Sequence, residues 1–434
     1  MSRWLWLPFA ALLLAGCLRQ TLPLSTQSLS APTAQYLLCV RQGGRQPDVL
    51  VMATLGLQGA EFRDLCSGDN LGMFLEALGV FGGRAYFAKI DDLLCVALDT
   101  GKCTRIANAR PYAYVDGRFF CVRGKEMREY DLRARRVRTL VVLPEEVYID
   151  ALAVSPDGRW LAYFVDPSHP SCSSARRLTI VDTERRTVQP VATNTEYRVS
   201  AAASIWPVAP PHAWLGARFC FLRSDITGDP ADGGGHSVND PVAYTIAEYD
   251  VATGQVRDIV ALGSAMSQGW PTLGPARPGL PPTLDVRTGP GAGTYLVDVD
   301  AGRLVATDSA GGAFRVVPGP TGSRLCDGAK LLGSGPIQMR MAVSPDQKAV
   351  VWANDFPDTA DQRGLWLYHH GDHAARLVAQ GWFGECFLWF GDADLAPTEP
   401  SPPAAAEWRA FDSEPFRRAT PTGAAGAKQT GGAA

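Results

Sequence analysis

The chain has 434 residues, of which 46% are hydrophobic, and it carries 44 glycines and 32 prolines. Apolar content at that level with so many turn formers suits many short strands rather than a helical bundle. The formal net charge is -3 with no basic run, so nucleic acid is not an expected partner. Ten cysteines occur without one Cys-x-x-Cys pair, which excludes a zinc ribbon and a thioredoxin-like redox motif.

The N-terminus reads as a targeting segment. Arg3 supplies a positive charge, and residues 4–14 are apolar, too short to span a bilayer and of signal-peptide length. The segment ends in Leu14-Ala15-Gly16-Cys17, which resembles the lipobox of bacterial lipoproteins. The resemblance implies removal of residues 1–16, acylation of Cys17 and a stable membrane anchor, since each buried methylene contributes about 0.8 kcal/mol. Leu18, where an Asp directs enteric lipoproteins to the inner membrane, implies the outer membrane by the same resemblance. Residues 17–34 are rich in Ser, Thr, Gln and Pro and read as a tether. Nine cysteines then face an oxidising compartment. Cys39, Cys95, Cys121 and Cys220 sit in apolar runs and are expected in the core, and Cys95 and Cys103 flank a turn as a candidate pair.

From 35 to 394 the pattern is short apolar strands separated by turn residues. One recurring element is an apolar strand ending near an Asp, followed by a small turn. It occurs at Leu98-Asp99-Thr100-Gly101, Tyr130-Asp131, Val181-Asp182-Thr183, Tyr249-Asp250-Val251-Ala252-Thr253-Gly254 and Val299-Asp300-Ala301-Gly302, with a worn copy at Tyr368-His369-His370-Gly371-Asp372. A second element is a tight hairpin at Ser155-Pro156-Asp157-Gly158, repeated loosely at Ser344-Pro345-Asp346. Pro156 presets φ for a type I turn and Gly158 frees its exit. Together they define four-stranded units near 35–65, 80–107, 112–142, 152–192, 213–261, 280–318 and 337–380. The unit at 152–192 is clearest, with strands at 152–154, 160–165, 178–182 and 188–192. Its second strand is apolar at every position, as in a sheet packed on both faces. Residues 382–390 read as a last strand pair that closes a ring against the first unit.

Ser155-Pro156-Asp157-Gly158-Arg159-Trp160-Leu161-Ala162-Tyr163 and Asp250-Val251-Ala252-Thr253-Gly254 resemble the repeat of TolB-like (WD-like) β-propellers. The resemblance implies an all-β fold, a single propeller of four-stranded blades. The unit count favours seven blades, with six and eight as alternatives. Residues 395–434, rich in Pro, Ala, Gly and Thr, are expected to be a disordered tail. It holds one aromatic island, 407–418, which reads either as a docking segment for a partner or for the domain itself, or as incidental.

The long connections are 166–175, 224–241, 264–282 and 354–363, expected together on one edge of the ring, where recognition usually resides. They carry Asp166, Asp225, Asp229, Asp232, Asp240, Asp355, Asp358 and Asp361, and Trp270 adds an aromatic. An acidic rim of this kind would favour a cation or a basic partner, although Asp residues also cap turns. Asp225, Asp229 and Asp232 lie among glycines in a calcium-loop-like stretch, but Pro230 falls where such a loop needs Gly, and His236 where it needs Glu. No Gly-x-Ser-x-Gly elbow is present, and His369, His370 and His373 read as a surface turn rather than a metal site. The sequence therefore points to a non-catalytic binding or scaffold role in the cell envelope, without a cofactor and with an envelope protein as partner. The alternative is a propeller enzyme, a hydrolase or quinoprotein dehydrogenase, working at the channel mouth.

Overall fold

Strand Trp160–Val165 shows how the chain folds. It pairs antiparallel with Ile149–Val154 on one side and Arg177–Asp182 on the other, with Leu161 opposite both Val154 and Val181. Thr187–Pro190 completes a four-stranded sheet in chain order. Leu161 is buried toward the preceding sheet, beside Phe120, Leu140 and Leu152. Ala162 is buried toward the following one, beside Trp214 and Phe219. Burial on both faces is why this strand does not alternate apolar and polar residues.

The computed structural model describes residues between 35 and 396 and residues 408–411, apart from connections of which the longest are 166–176, 192–211, 225–243, 307–313 and 355–362. The described residues form eight sheets. Ordered by the strand that comes earliest in the chain, Gln35–Gln42, Leu75–Phe81, Tyr112–Val115, Ile149–Val154, His212–Leu215, Pro271–Gly274, Phe314–Gly319 and Met341–Val343, they are numbered sheets 1 to 8. Sheet 7 has three strands, ending with Gly322–Asp327 and Lys330–Gly335. The single unit expected at 280–318 is thus divided between sheets 6 and 7, giving one sheet more than the favoured seven. Periodicity could not separate them because neither carries the Ser-Pro-Asp-Gly hairpin.

The ring closes by joining the two ends of this span. Trp382–Phe383 and Leu388–Gly391 both pair with Gln35–Gln42, at opposite ends of that strand. They supply the first strand of sheet 1, and the N-terminal residues supply the other three. The expected closing strand pair is therefore one interrupted strand. One apolar cluster joins sheet 8 to sheet 1 through Val351, Leu367, Leu37 and Phe383. The next joins sheet 1 to sheet 2 through Leu38, Phe390, Phe87 and Val96. Trp389 Nε1 donates to the Ala342 carbonyl at 3.1 Å, tying the closing strand to sheet 8. The architecture is an all-β propeller. Among the described residues no helix is long and apolar enough to cross a membrane.

Bulges recur between the third and fourth strands, in sheets 1, 2, 3, 5 and 8. A bulge increases local twist and turns an outer edge away from its neighbours, which blunts it against unwanted pairing. Cys39, Cys95, Cys121 and Cys220 are buried as expected. Cys95 and Cys103 are both free, so the candidate pair is not formed. They are not directly opposed: Cys103 faces Val96, and Cys95 faces Thr104.

Candidate functional site

The ring has two edges. One carries the short turns between first and second strands and between third and fourth strands; the other carries the connections between second and third strands and between sheets.

On the short-turn edge the polar residues build turns. The Ser155 hydroxyl donates to Asp157 Oδ1 at 2.5 Å and accepts from the Trp160 N–H at 2.9 Å. Gly158 N–H donates to the Ser155 carbonyl at 2.8 Å with φ +70°. The worn copy repeats the design: the Ser344 hydroxyl donates to Asp346 Oδ1 at 2.6 Å and accepts from Ala349 N–H at 2.8 Å. Gln347 there adopts φ +60°, the strain that Gly158 avoids. The Ser344 hydroxyl, with the Lys348 N–H and charge behind it, holds the Asp346 carboxyl below its ordinary value. Pro345 lies outside the described residues. The recurring Asp residues cap the second kind of turn: Asp131, Asp182 and Asp250 each accept from a backbone N–H two or three residues on. In sheet 6 the cap is Asp298, bonded to Ala301 N–H at 3.1 Å, and not Asp300.

Two buried ion networks escaped the sequence reading. In sheet 3, Glu129 is 1% exposed and takes Arg118 at 2.5 Å and Arg138 at 2.7 Å. In sheet 5, Glu248 is 2% exposed and takes Arg257 at 2.8 Å and Arg218 at 3.6 Å. Both glutamates are on third strands, with one arginine on the second strand and one on the fourth. The signal was present as Glu129-Tyr130-Asp131 with Val137-Arg138, and Glu248-Tyr249-Asp250 with Val256-Arg257, at identical spacing. Each network also grips the next sheet. Arg118 donates to the Asp157 and Gly158 carbonyls at 3.0 and 3.2 Å, and Arg218 donates to Asp300 at 2.6 Å. A Cβ at position 158 would stand 2.0 Å from Arg118 Nη1, so Gly158 is needed for this approach as well as for its turn.

On the long-connection edge, the first strands of sheets 2 and 3 bring Glu76 and Tyr112 together. Glu76 is the second residue of Leu75–Phe81 and Tyr112 the first of Tyr112–Val115, both just after connections between sheets. The Tyr112 hydroxyl donates to Glu76 Oε2, and its ring stacks on Phe119 with centroids 5.3 Å apart. Glu76 reaches solvent but is crowded by protein; that desolvation raises its pKa, and the Tyr112 hydrogen bond only partly offsets it. Neither residue carried a sequence signal, because they are 36 residues apart and meet only through the ring. Trp382 lies on the same edge, 36% exposed, with the Arg363 guanidinium 4.5 Å from its ring centre.

Most of the sequence-predicted binding face lies outside the described residues: Asp166, Asp225, Asp229, Asp232, Asp240, Trp270, Asp355, Asp358 and Asp361, as does Cys17. The strand ends that flank three of these connections, at Val165 and Arg177, Ser224 and Tyr244, and Asn354 and Gly364, are described. Each joins a second strand to a third, so all three open on the same edge. The expected loop 264–282 is not one loop. Pro271–Gly274 within it is the first strand of sheet 6, paired with Thr283–Val286. Among the described residues no three His, Cys, Asp or Glu side chains gather as metal ligands. His370 instead meets Asp327 of sheet 7 at 2.9 Å.

No family model and no curated protein matches the chain. Solved structures similar to it include TolB from Acinetobacter baumannii, 14% identical over 82% of each chain, with a TM-score of 0.32. The β-propeller domain of the Trilobed protease from Pyrococcus furiosus is 13% identical, covering 81% of this chain and 97% of that one, with a TM-score of 0.37. Dipeptidyl peptidase 4 from Porphyromonas gingivalis is 13% identical, covering 74% and 57%, with a TM-score of 0.46. These likenesses concern fold alone; the ring assignment stands on the sheet order and closure described above.

Proposed function

We propose that this chain is a membrane-tethered propeller lipoprotein that binds or scaffolds an envelope protein through its long-connection edge. The observation that carries the binding reading is the common edge onto which the connections after Val165, Ser224 and Asn354 open. Long connections anchored on one edge of a rigid ring are where recognition commonly resides. The address rests on Cys17 and the residues before it, with Leu18 favouring the outer membrane. The partner is a protein and not nucleic acid, in keeping with the slight net negative charge.

The test is crosslinking and recovery from intact membranes, wild type against Cys17→Ser. Specific envelope proteins recovered with wild type and lost with the variant support the reading. Acylated wild type that recovers nothing specific removes the scaffold role while leaving the address.

A second reading has one observation in its favour. A carboxyl raised in pKa beside a tyrosine hydroxyl on the long-connection edge is suited to general acid chemistry. A propeller enzyme of this kind would lose turnover in Glu76→Gln and Tyr112→Phe while keeping its partners in the crosslinking experiment.

A further inference from the structure

Residues 408–411, in the span expected to be a disordered tail, return to the ring. Arg409 and Ala410 pair antiparallel with Val137 and Arg136 at the outer edge of sheet 3. The Phe411 N–H donates to the Arg135 carbonyl at 3.0 Å. Phe411 is 2% exposed, within the cluster shared by sheets 2 and 3, its ring centre 5.8 Å from that of Tyr130. The Arg138 guanidinium stands 4.6 Å from the centre of the Trp408 ring. Among the described residues no other sheet carries a strand outside its fourth.

The edge therefore recognises three things: an extended backbone, an aromatic ring over Arg138, and a second aromatic three residues on beside Tyr130. This is strand addition, in which main-chain pairing gives affinity and side-chain slots give specificity. A two-residue ladder orders little backbone, so the two aromatic side chains supply most of the recognition.

We propose that the outer edge of sheet 3 is a strand-addition site that takes the 408–411 segment of a second copy, with the chain's own segment as resident competitor. The occupant follows from the structure itself, because every copy carries both the site and the segment that fits it. Reciprocal exchange reproduces each contact and closes on a two-fold pair. What opposes it is the effective concentration of the tethered segment, on the order of millimolar for a short connection. Exchange is thus expected only where copies are crowded. The proposal does not depend on the envelope reading.

The test uses the full chain with a protease site inserted between 397 and 407, cut after folding. The released fragment should co-elute with the ring at micromolar concentration. A synthetic peptide spanning 403–416 should displace it, and the Phe411→Ala form of that peptide should be at least about tenfold weaker. Uncut wild type should shift from one ring toward two by light scattering as its concentration approaches about 1 mM, and excess peptide or Phe411→Ala in the chain should abolish the shift. A fragment that leaves the cut ring while the peptide fails to bind overturns the proposal. So does uncut protein that stays a single ring at the highest concentration, an arm that needs no inserted site.

Discussion

Replacing Glu129 by Ala removes the centre of the buried network in sheet 3. Its side chain is 2% exposed, while the Arg118 and Arg138 side chains that remain are 29% and 22% exposed. Removing one partner of a fully buried ion pair costs about 3–5 kcal/mol. Partial hydration of the two guanidiniums places Glu129→Ala near the lower end, about 3 kcal/mol. What Arg118 keeps is two neutral carbonyls and the face of Phe120, and what Arg138 keeps is the face of Trp408. The twin in sheet 5 is a built-in control. Arg257 is 52% exposed, and Arg218 retains a second carboxylate, Asp300, at 2.6 Å. Glu248→Ala should therefore cost less, about 1–2 kcal/mol. Glu129→Gln, which keeps shape and one acceptor oxygen, should fall near 2 kcal/mol. Urea unfolding followed by tryptophan fluorescence reads these as shifts in midpoint at unchanged slope. A Glu129→Ala loss below about 1 kcal/mol, or a Glu248→Ala loss as large as that of Glu129→Ala, refutes the argument that burial and alternative partners set the cost.

Three further outcomes follow from the same structure. Gly101→Ala and Gly124→Ala share left-handed backbone, at φ +69° and +59°, but only position 101 would press a Cβ on a backbone atom, the Leu65 carbonyl oxygen at 2.0 Å. Gly124→Ala should lose about 1 kcal/mol in a urea melt and Gly101→Ala about 3; equal losses would remove the packing argument. Because the folded-state pKa of Glu76 is raised above its ordinary 4.5, wild type should lose stability relative to Glu76→Gln as pH rises from 4.5 through the folded value, and hold a constant difference above it. Parallel thermal melts across that range test the sign, and a difference that widens toward acid pH refutes it. Cys17→Ser should move the protein from the membrane to the soluble fraction on cell fractionation; retention in the membrane would sink the proposed anchor.

The sequence by itself determined what is local. Pro156 and Gly158 specify a type I turn within four residues, and the strand beyond them is apolar throughout because both of its faces are covered. From such hairpins and Asp-capped turns an all-β propeller could be read, along with its closing strand. Tertiary structure decided what depends on the ring. Sheets 6 and 7 separate because Pro271–Gly274 finds its partner at Thr283–Val286, a pairing that no motif announces. Glu76 meets Tyr112 across two sheets, and Phe411 finds Tyr130 over nearly three hundred residues of chain. The paired Glu-Tyr-Asp motifs were visible as letters, but their burial was not. A glutamate on a third strand reads as solvated until the arginines of the flanking strands are placed beside it. Local sterics and hydrogen bonds act over a few residues and leave a signature in the sequence. Contacts across the ring are fixed only when loop closure brings distant strands into register, and that information is spread over the whole chain.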